Sequence, residues 1–478
     1  MKKGAVQGKL SKFTRFANSL YPHELAYLLE IQQFDHPDNI KVLNLIFYNS
    51  NNPKNRIPYD ISIDKRRYSY IKKWIEEKLS AVDVDIYFEG LNKTEKKVMT
   101  DGILPQEEKK IIQCAKSTGT THYYFIKFYE LLKHYRDYLL VRGPNENYAA
   151  ISDYLGMHSD QYLKVVELNE QINQATLDIV HQHAQSGYES MQWDDFLKSV
   201  LYSEEIDGYT RYRAAVRLTY MYYNYREFKN LRSVYDYLDK HLKTQVFYSK
   251  RILANYYANR AMMHSKLNEP DDAEKYGYLS IQHHNADYIF YLLNLCSVLL
   301  KRNKNNEALE IMRNSIGELK NTGNYYYKIG FAAFYTMTLT ANKMYDKAVK
   351  YAERFYSIHK KEIMNYRWHL FFSAYFKAMT HNEEFAKIIN LSNRYALVDK
   401  EKQFIGKARY LPILYWHQTV AQYMEGDINA ENLKQIITES SNMLIANNYK
   451  QTKVKELFNE LSEFCPRIFK SISKGINF

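Results

Sequence analysis

Glycine, proline and cysteine are scarce in this chain: 16, 9 and 3 residues among 478. So few turn-formers exclude an all-β sandwich, which needs a turn about every 8–12 residues, and favour long helices. The cysteines, Cys114, Cys296 and Cys465, follow no disulfide or zinc-ligand spacing. A reducing compartment is therefore expected, with no structural metal. Long apolar runs are also missing. Met1-Lys2-Lys3 is basic, but Phe13, Phe16 and Leu20 behind it are interleaved with Lys12, Arg15 and Asn18. No signal peptide is expected, nor any stretch of about 18 apolar residues to span a membrane, so the expected location is cytoplasmic. No phosphate-cradling glycine loop, metalloprotease helix or serine-nucleophile elbow occurs, which removes the common signatures of an enzyme.

Tyrosine is abundant, with 46 residues. Its ring packs between helices while its hydroxyl reaches water; coding bias alone would also enrich it. Positive charge is in excess by 12, and its distribution is uneven. Residues 1–200 hold 26 basic and 26 acidic groups, whereas residues 201–478 hold 40 and 28. A basic half attracts an acidic protein or nucleic acid over long range, and a Lys-rich solvated surface gives the same count.

Helical periodicity starts early, with Leu20, Leu25, Leu28 and Leu29, then Val42, Leu43 and Ile46. Pro37 stands in the first turn of the second helix, where its missing N–H is harmless. Two stretches alternate with period two, Tyr59-Asp60-Ile61-Ser62-Ile63-Asp64 and Val82-Asp83-Val84-Asp85-Ile86, and read as a small strand pair. Tyr68–Leu79 between them is an amphipathic helix, and further helices are predicted over 122–141, 146–156, 159–185 and 190–203. A boundary is predicted near residue 205, at Glu204-Glu205-Ile206-Asp207-Gly208.

Beyond it, helical hairpins are predicted at 209–242, 247–284, 288–319, 326–359, 368–397 and, more weakly, 407–446. Ala261 and Cys296 occupy matching places on first helices, Ala273 and Ala308 on second helices 35 residues apart. Ala348 takes the same place with Tyr345 three before it, and Asn382 reads as a cap ahead of Glu383 and Glu384. This pattern resembles the tetratricopeptide-repeat family, whose period is about 34 residues and whose hairpins stack because none buries its apolar face alone. Tyr257 and Leu292 stand where that family carries Trp, and the resemblance covers roughly half the chain. It implies an alpha–alpha superhelix, a solenoid of hairpins with a concave face formed by first helices, where such proteins hold a partner.

Aligned on the small residues, the concave positions include Arg213, Tyr220, Tyr223, Asn255, Met262, Phe290, Leu293, Met337 and Lys377. This lining is largely apolar and aromatic, apt for the apolar face of a partner helix or an extended segment. The alternative is that the superhelix or the N-terminal half fills the groove.

Other constellations were weighed against it. His181-Gln182-His183 and His283-His284 lack the i,i+3 or i,i+4 spacing that puts two ligands on one helix face, so no metal is assigned to them. Asp85 followed by Glu95-Lys96-Lys97 is similar to the active site of restriction-endonuclease-like nucleases, which implies carboxylates holding a divalent ion on a strand. Glu-x-Lys recurs at Glu76, Glu107 and Glu108, so the match is inexpensive in a Lys-rich chain. Lys65-Arg66-Arg67 with Tyr68 and Tyr70, and Lys350-Tyr351 onward, mix cations with rings as single-strand binders do.

The resulting expectation is a mainly α protein. It comprises an N-terminal helical domain (1–205) with at most a small strand pair, tetratricopeptide-like repeats (206–450), and a capping helix and tail (451–478). In the tail Val454, Leu457, Phe458, Leu461 and Phe464 form the apolar stripe, with Lys453, Lys455, Glu456 and Glu460 outside it. The expected role is a non-catalytic scaffold or regulatory adaptor without cofactor, binding a protein or peptide; nucleic-acid binding and an N-terminal nuclease are the alternatives.

Overall fold

The structure is a computed structural model that describes residues 10–53, 55–143, 146–185, 189–243, 246–405, 410–442, 444 and 448–473. Of residues 181–185, 189, 448–450 and 473 only the backbone is described. Among these residues there are 25 α-helices and no β-strand. The chain divides into two compact units, Met1–Asn268 with Leu279–His283, and Glu269–Tyr278 with His284–Phe478.

The first unit contains α1 (Ser11–Ala17), α2 (Pro22–Ile31), α3 (Pro37–Asn51), α4 (Lys65–Val82), α5 (Val84–Met99), α6 (Pro105–Ser117) and α7 (Phe125–Val141). It continues through α8 (Glu146–Met157), α9 (Ser159–Gln185), α10 (Asp194–Tyr202), α11 (Gly208–Tyr225), α12 (Phe228–Lys243) and α13 (Lys250–Lys266). Proline opens α2, α3 and α6. Asp64, Asp83, Asp207 and Ser249 cap α4, α5, α11 and α13 with side-chain oxygens, satisfying amides that no helical carbonyl reaches. Helices α1 to α4 pack on one another, and α2 also lies on α12. From α5 onward the packing is neighbour to neighbour: α7 lies on both α5 and α9, while α11 lies on α9, α10 and α12.

Polar bonds inside the core tie α2 to the later helices. His23 Nδ1 is 2.6 Å from Tyr257 Oη and His23 Nε2 is 2.9 Å from Asp239 Oδ1. Glu24, with no exposed surface, accepts from Tyr21 N at 2.7 Å and from Tyr248 Oη at 2.5 Å. The start of α11 sits against the start of α7: Tyr209 N donates to Tyr123 O at 2.9 Å. Glycine is required beside it, because a Cβ on Gly208 would stand 2.8 Å from Tyr123 Cδ2 and 3.2 Å from its Cα.

The second unit contains most of α14 (Pro270–Ser280), then α15 (Tyr288–Lys301), α16 (Asn305–Asn314), α17 (Tyr325–Ala341), α18 (Tyr345–Tyr366) and α19 (Trp368–His381). After these come α20 (Phe385–Tyr395), α21 (Leu397–Lys402), α22 (Ile413–Met424), α23 (Ala430–Asn442), α24 (Asn448–Ser462) and α25 (Pro466–Ser473). First helices again lie side by side in chain order, α15 on α17, α17 on α19 and α19 on α22. Phe371, Phe372, Tyr375, Phe376 and Met379 bury one such face. A second cluster joins Trp416, Leu433 and Ile437 to Phe458, Leu461 and Phe469 of α24 and α25.

One turn recurs between paired helices. Asp101, Arg226, Asn303, Lys343 and Glu383 all have positive φ, between 56° and 62°, as does Gly426 at 85°. In each case the next amide donates to the carbonyl five residues before it: Gly102 to Lys97, Glu227 to Tyr222, Lys304 to Leu299, Met344 to Leu339, Glu384 to Met379 and Asp427 to Gln422, at 2.8–2.9 Å. This is the left-handed helix stop that satisfies terminal carbonyls. Five residues after three positive-φ positions (Asn268, Asn303 and Lys343) come Ala273, Ala308 and Ala348, all without exposed surface. The turn at Asp101 extends this local motif well before residue 209.

Two expectations are corrected. The strand pair is absent, and both alternating stretches turn on an aspartate. Asp60 Oδ1 accepts from Ser62 N (2.9 Å) and Ser62 Oγ (2.6 Å) in a loop before α4. Asp83 Oδ1 accepts from Asp85 N (2.9 Å) and Ile86 N (3.2 Å) at the start of α5. A short polar side chain that bonds its own backbone flanks itself with apolar residues as readily as a strand does. Asn382, predicted as a helix start, instead ends α19, and Glu383 takes the left-handed position.

Candidate partner-binding surface

The small residues used to align the hairpins are all buried: Ala261, Cys296, Ala273, Ala308 and Ala348 have no exposed surface. Each lets a neighbouring helix approach closely, as stacking requires. The residues aligned with them are placed as follows, taking each unit by itself.

In the first unit Arg213 donates to Asn169 and, at 2.5 Å, to Asn173 on α9. Arg217 Nε follows at 2.9 Å from Thr176 Oγ1. This face of α11 is therefore occupied by α9. Asn255 accepts from Asn259 Nδ2 at 2.9 Å and, with Val216, borders a crevice of about 20 Å³ between α11, α12 and α13, room for about one water. Tyr220 is 43% exposed, and Tyr223 and Met262 are half-buried.

In the second unit Phe290 is half-buried, its ring 6.3 Å from that of Tyr327. Leu293 is buried, and a Cβ on Gly330 would stand 2.9 Å from its Cδ1. Met337 is half-buried. Lys377 Nζ donates to Glu460 Oε2 of α24 at 2.5 Å. Glu460 thus lies against Lys377 of α19 rather than standing in solvent, so this position is already engaged by α24. His417, 1% exposed, lies in the same cluster: its Nδ1 is 2.8 Å from Thr380 Oγ1 and its Nε2 3.9 Å from Glu460 Oε1. Burial, outweighing the attraction of Glu460, pushes its pKa down to about 4.

Glu401 is the functional-looking group that sequence reasoning missed. It has no exposed surface and accepts from Leu414 N (3.0 Å), Tyr415 N (2.9 Å) and His369 Nε2 (2.7 Å). It is a carboxylate holding the start of α22 from another helix; no local spacing links residues 369, 401 and 414.

The other constellations disperse. Asp85 is in α5, paired with Arg251 through Nε (3.0 Å) and Nη2 (2.8 Å). Glu95 pairs with Lys127 and lies 3.3 Å from His134 Nδ1. Ten residues apart on one helix, the two carboxyl-bearing positions are separated by about 15 Å, so they do not share an ion. Tyr68 is buried and donates to Asp60 O at 2.7 Å, which leaves its ring unavailable for base stacking. His284 lies 3.2 Å from Glu318 and stacks on Tyr288. The His181 and His183 side chains lie outside the described residues, as do both limits of the 407–446 hairpin.

No family model matches the chain, and no curated protein matches it. No helix among the described residues is long and apolar enough to cross a membrane.

Proposed function

We propose that the protein is a non-catalytic adaptor, a tetratricopeptide-like solenoid of helical hairpins that holds a protein or peptide in the cytoplasm. The observation that carries this reading is the recurrent left-handed turn with its five-back hydrogen bond, combined with first helices lying on one another in chain order. Such stacking leaves one face of the first helices to a partner. Carboxylates that suggested chemistry (Asp85, Glu95, Glu401) are engaged in ion pairs and caps instead. The partner surface narrows to the half-buried apolar residues, Met262 in the first unit and Phe290 and Met337 in the second, which suit an amphipathic helix.

The test is capture by the purified full chain, with the double variant Phe290→Ala/Met337→Ala run alongside. A protein retained by the parent and lost by the variant, while circular dichroism is unchanged, supports the reading. Retention by both, or of nucleic acid alone, overturns it. The surplus of basic residues in 201–478 favours nucleic acid as the second reading; affinity for an oligonucleotide that is flat with salt would reject that one.

A further inference from the structure

In the first unit a cleft of about 990 Å³ opens between α1, the end of α3, the loop over 56–61 and Gln282. That volume is at the upper end of the range for small-molecule sites, about 300–1,000 Å³. None of its lining residues is among those proposed to hold a partner.

Its walls are held from behind. Asn49, 3% exposed, donates through Nδ2 to Ile57 O at 2.9 Å and accepts from Ile57 N at 2.7 Å. Asp60 folds the next turn through Ser62 and is joined by Lys41 at 3.1 Å. Phe13 of α1 meets the rings of Tyr59 and Tyr68 edge-on, at 5.1 and 4.7 Å. The loop is thereby set before any ligand arrives, which lowers the entropy lost on binding.

The lining has one sign of charge. Arg15 and Arg56 both border the cleft, no carboxylate does, and neither arginine makes a hydrogen bond or ion pair among the described residues. Asn18 and Gln282 also border the cleft, but their side-chain oxygens are buried and present no accessible surface to a ligand. Ile57 and Ile61 at the mouth are 48% and 56% exposed. A ligand that satisfies both remaining features carries an anion for the guanidiniums and a flat apolar body for the isoleucines.

We propose that this cleft binds a small nucleotide-like organic anion, a phosphate attached to a flat ring system. Guanidinium forks hold the phosphate, and Ile57 and Ile61 cover the ring. A bound ligand gives the protein a small-molecule input that uses none of the residues proposed for the partner.

The test is isothermal titration of the full chain with the four nucleoside monophosphates, adenosine and inorganic phosphate, each up to about 1 mM. At least one monophosphate is expected to bind, with Arg15→Gln/Arg56→Gln weakening it about tenfold or more. Removing the phosphate, as in adenosine, is expected to weaken binding comparably. Ile57→Ser should weaken adenosine and AMP by the same factor, and hydrogen exchange over 55–62 should slow when ligand is present. Both arginines are exposed, so their replacement leaves the fold intact, and unchanged circular dichroism verifies it. Binding by none of the monophosphates overturns the proposal. So does affinity unchanged in the double variant, or binding by inorganic phosphate as tight as by the nucleotides.

Discussion

Asp207→Asn should stabilise the first unit at neutral pH and do nothing in acid. Asp207 is 1% exposed and caps α11, its Oδ1 accepting from Thr210 N at 3.0 Å, while Oδ2 is buried without a partner among the described residues. Burial raises its pKa from 3.8 to about 6, against the lowering effect of the Thr210 bonds. Tenfold in proton affinity is about 1.4 kcal/mol, so ionising this carboxyl in the folded chain is disfavoured by about 3 kcal/mol. A carboxyl whose folded pKa is raised contributes stability that is full below the unfolded value. That contribution is lost as pH rises through the folded value. The window here runs from about 4 to about 6.

Asparagine keeps the capping oxygen and is as good an N-cap as aspartate. It exchanges a buried orphan acceptor for a buried orphan donor, so those penalties of about 1–3 kcal/mol nearly cancel. The expected gain is about 2–3 kcal/mol at pH 7.5 and near zero at pH 4. The assay is hydrogen exchange of peptides within Gly208–Tyr225, variant against parent at each pH, so that intrinsic exchange chemistry cancels. Equal destabilisation at both values would refute the reasoning, because it would mean the charge itself is used by the fold. A gain that persists at pH 4 would also refute it, since the neutral carboxyl would then be the strained species.

Two further outcomes follow from the second unit. Lys343 has φ 58° and an exposed side chain without a hydrogen bond or ion pair among the described residues; Lys343→Gly should therefore stabilise by about 0.5–1 kcal/mol in urea unfolding, whereas a loss would show that the side chain contributes to the fold. His417 faces Thr380, Glu460, Lys377 and His381, and burial holds its pKa near 4. A histidine with a depressed folded pKa contributes stability present above about 6.5 that falls away as the pH drops toward 4. Hydrogen exchange of α24 should therefore accelerate about tenfold between pH 7 and 5.5 relative to α15, and identical pH profiles for the two helices would contradict this.

What could be read from the chain alone depended on whether a signal was local. Pro37 marks a helix start because proline acts on its own φ and its own missing N–H. Ala273, Ala308 and Ala348 mark close approach because a methyl side chain leaves room wherever it sits, and all three are buried. The hairpin turns were illegible for a related reason. A left-handed stop is expected to show glycine, yet Arg226, Asn303, Lys343 and Glu383 occupy it, at a strain of about 1–2 kcal/mol each. The compensation is the amide bond to the carbonyl five residues back, a backbone contact that carries no side-chain signature. The same holds at Asp101, so the turn between α5 and α6 escaped detection even though it matches the later ones.

The candidate surface depends on contacts that are not local. Position along a first helix predicts which way a side chain faces but not what has already been laid across it. Arg213 meets Asn173 of α9, and Lys377 meets Glu460 from 83 residues further along the chain. A cation at an inner-face position is evidence for an anion nearby, and in a stacked-helix protein the nearest source is the adjoining helix of the same chain. Charged residues in such a groove therefore argue for self-contact first. The half-buried apolar positions, Met262, Phe290 and Met337, are the ones whose partner is worth seeking outside the chain.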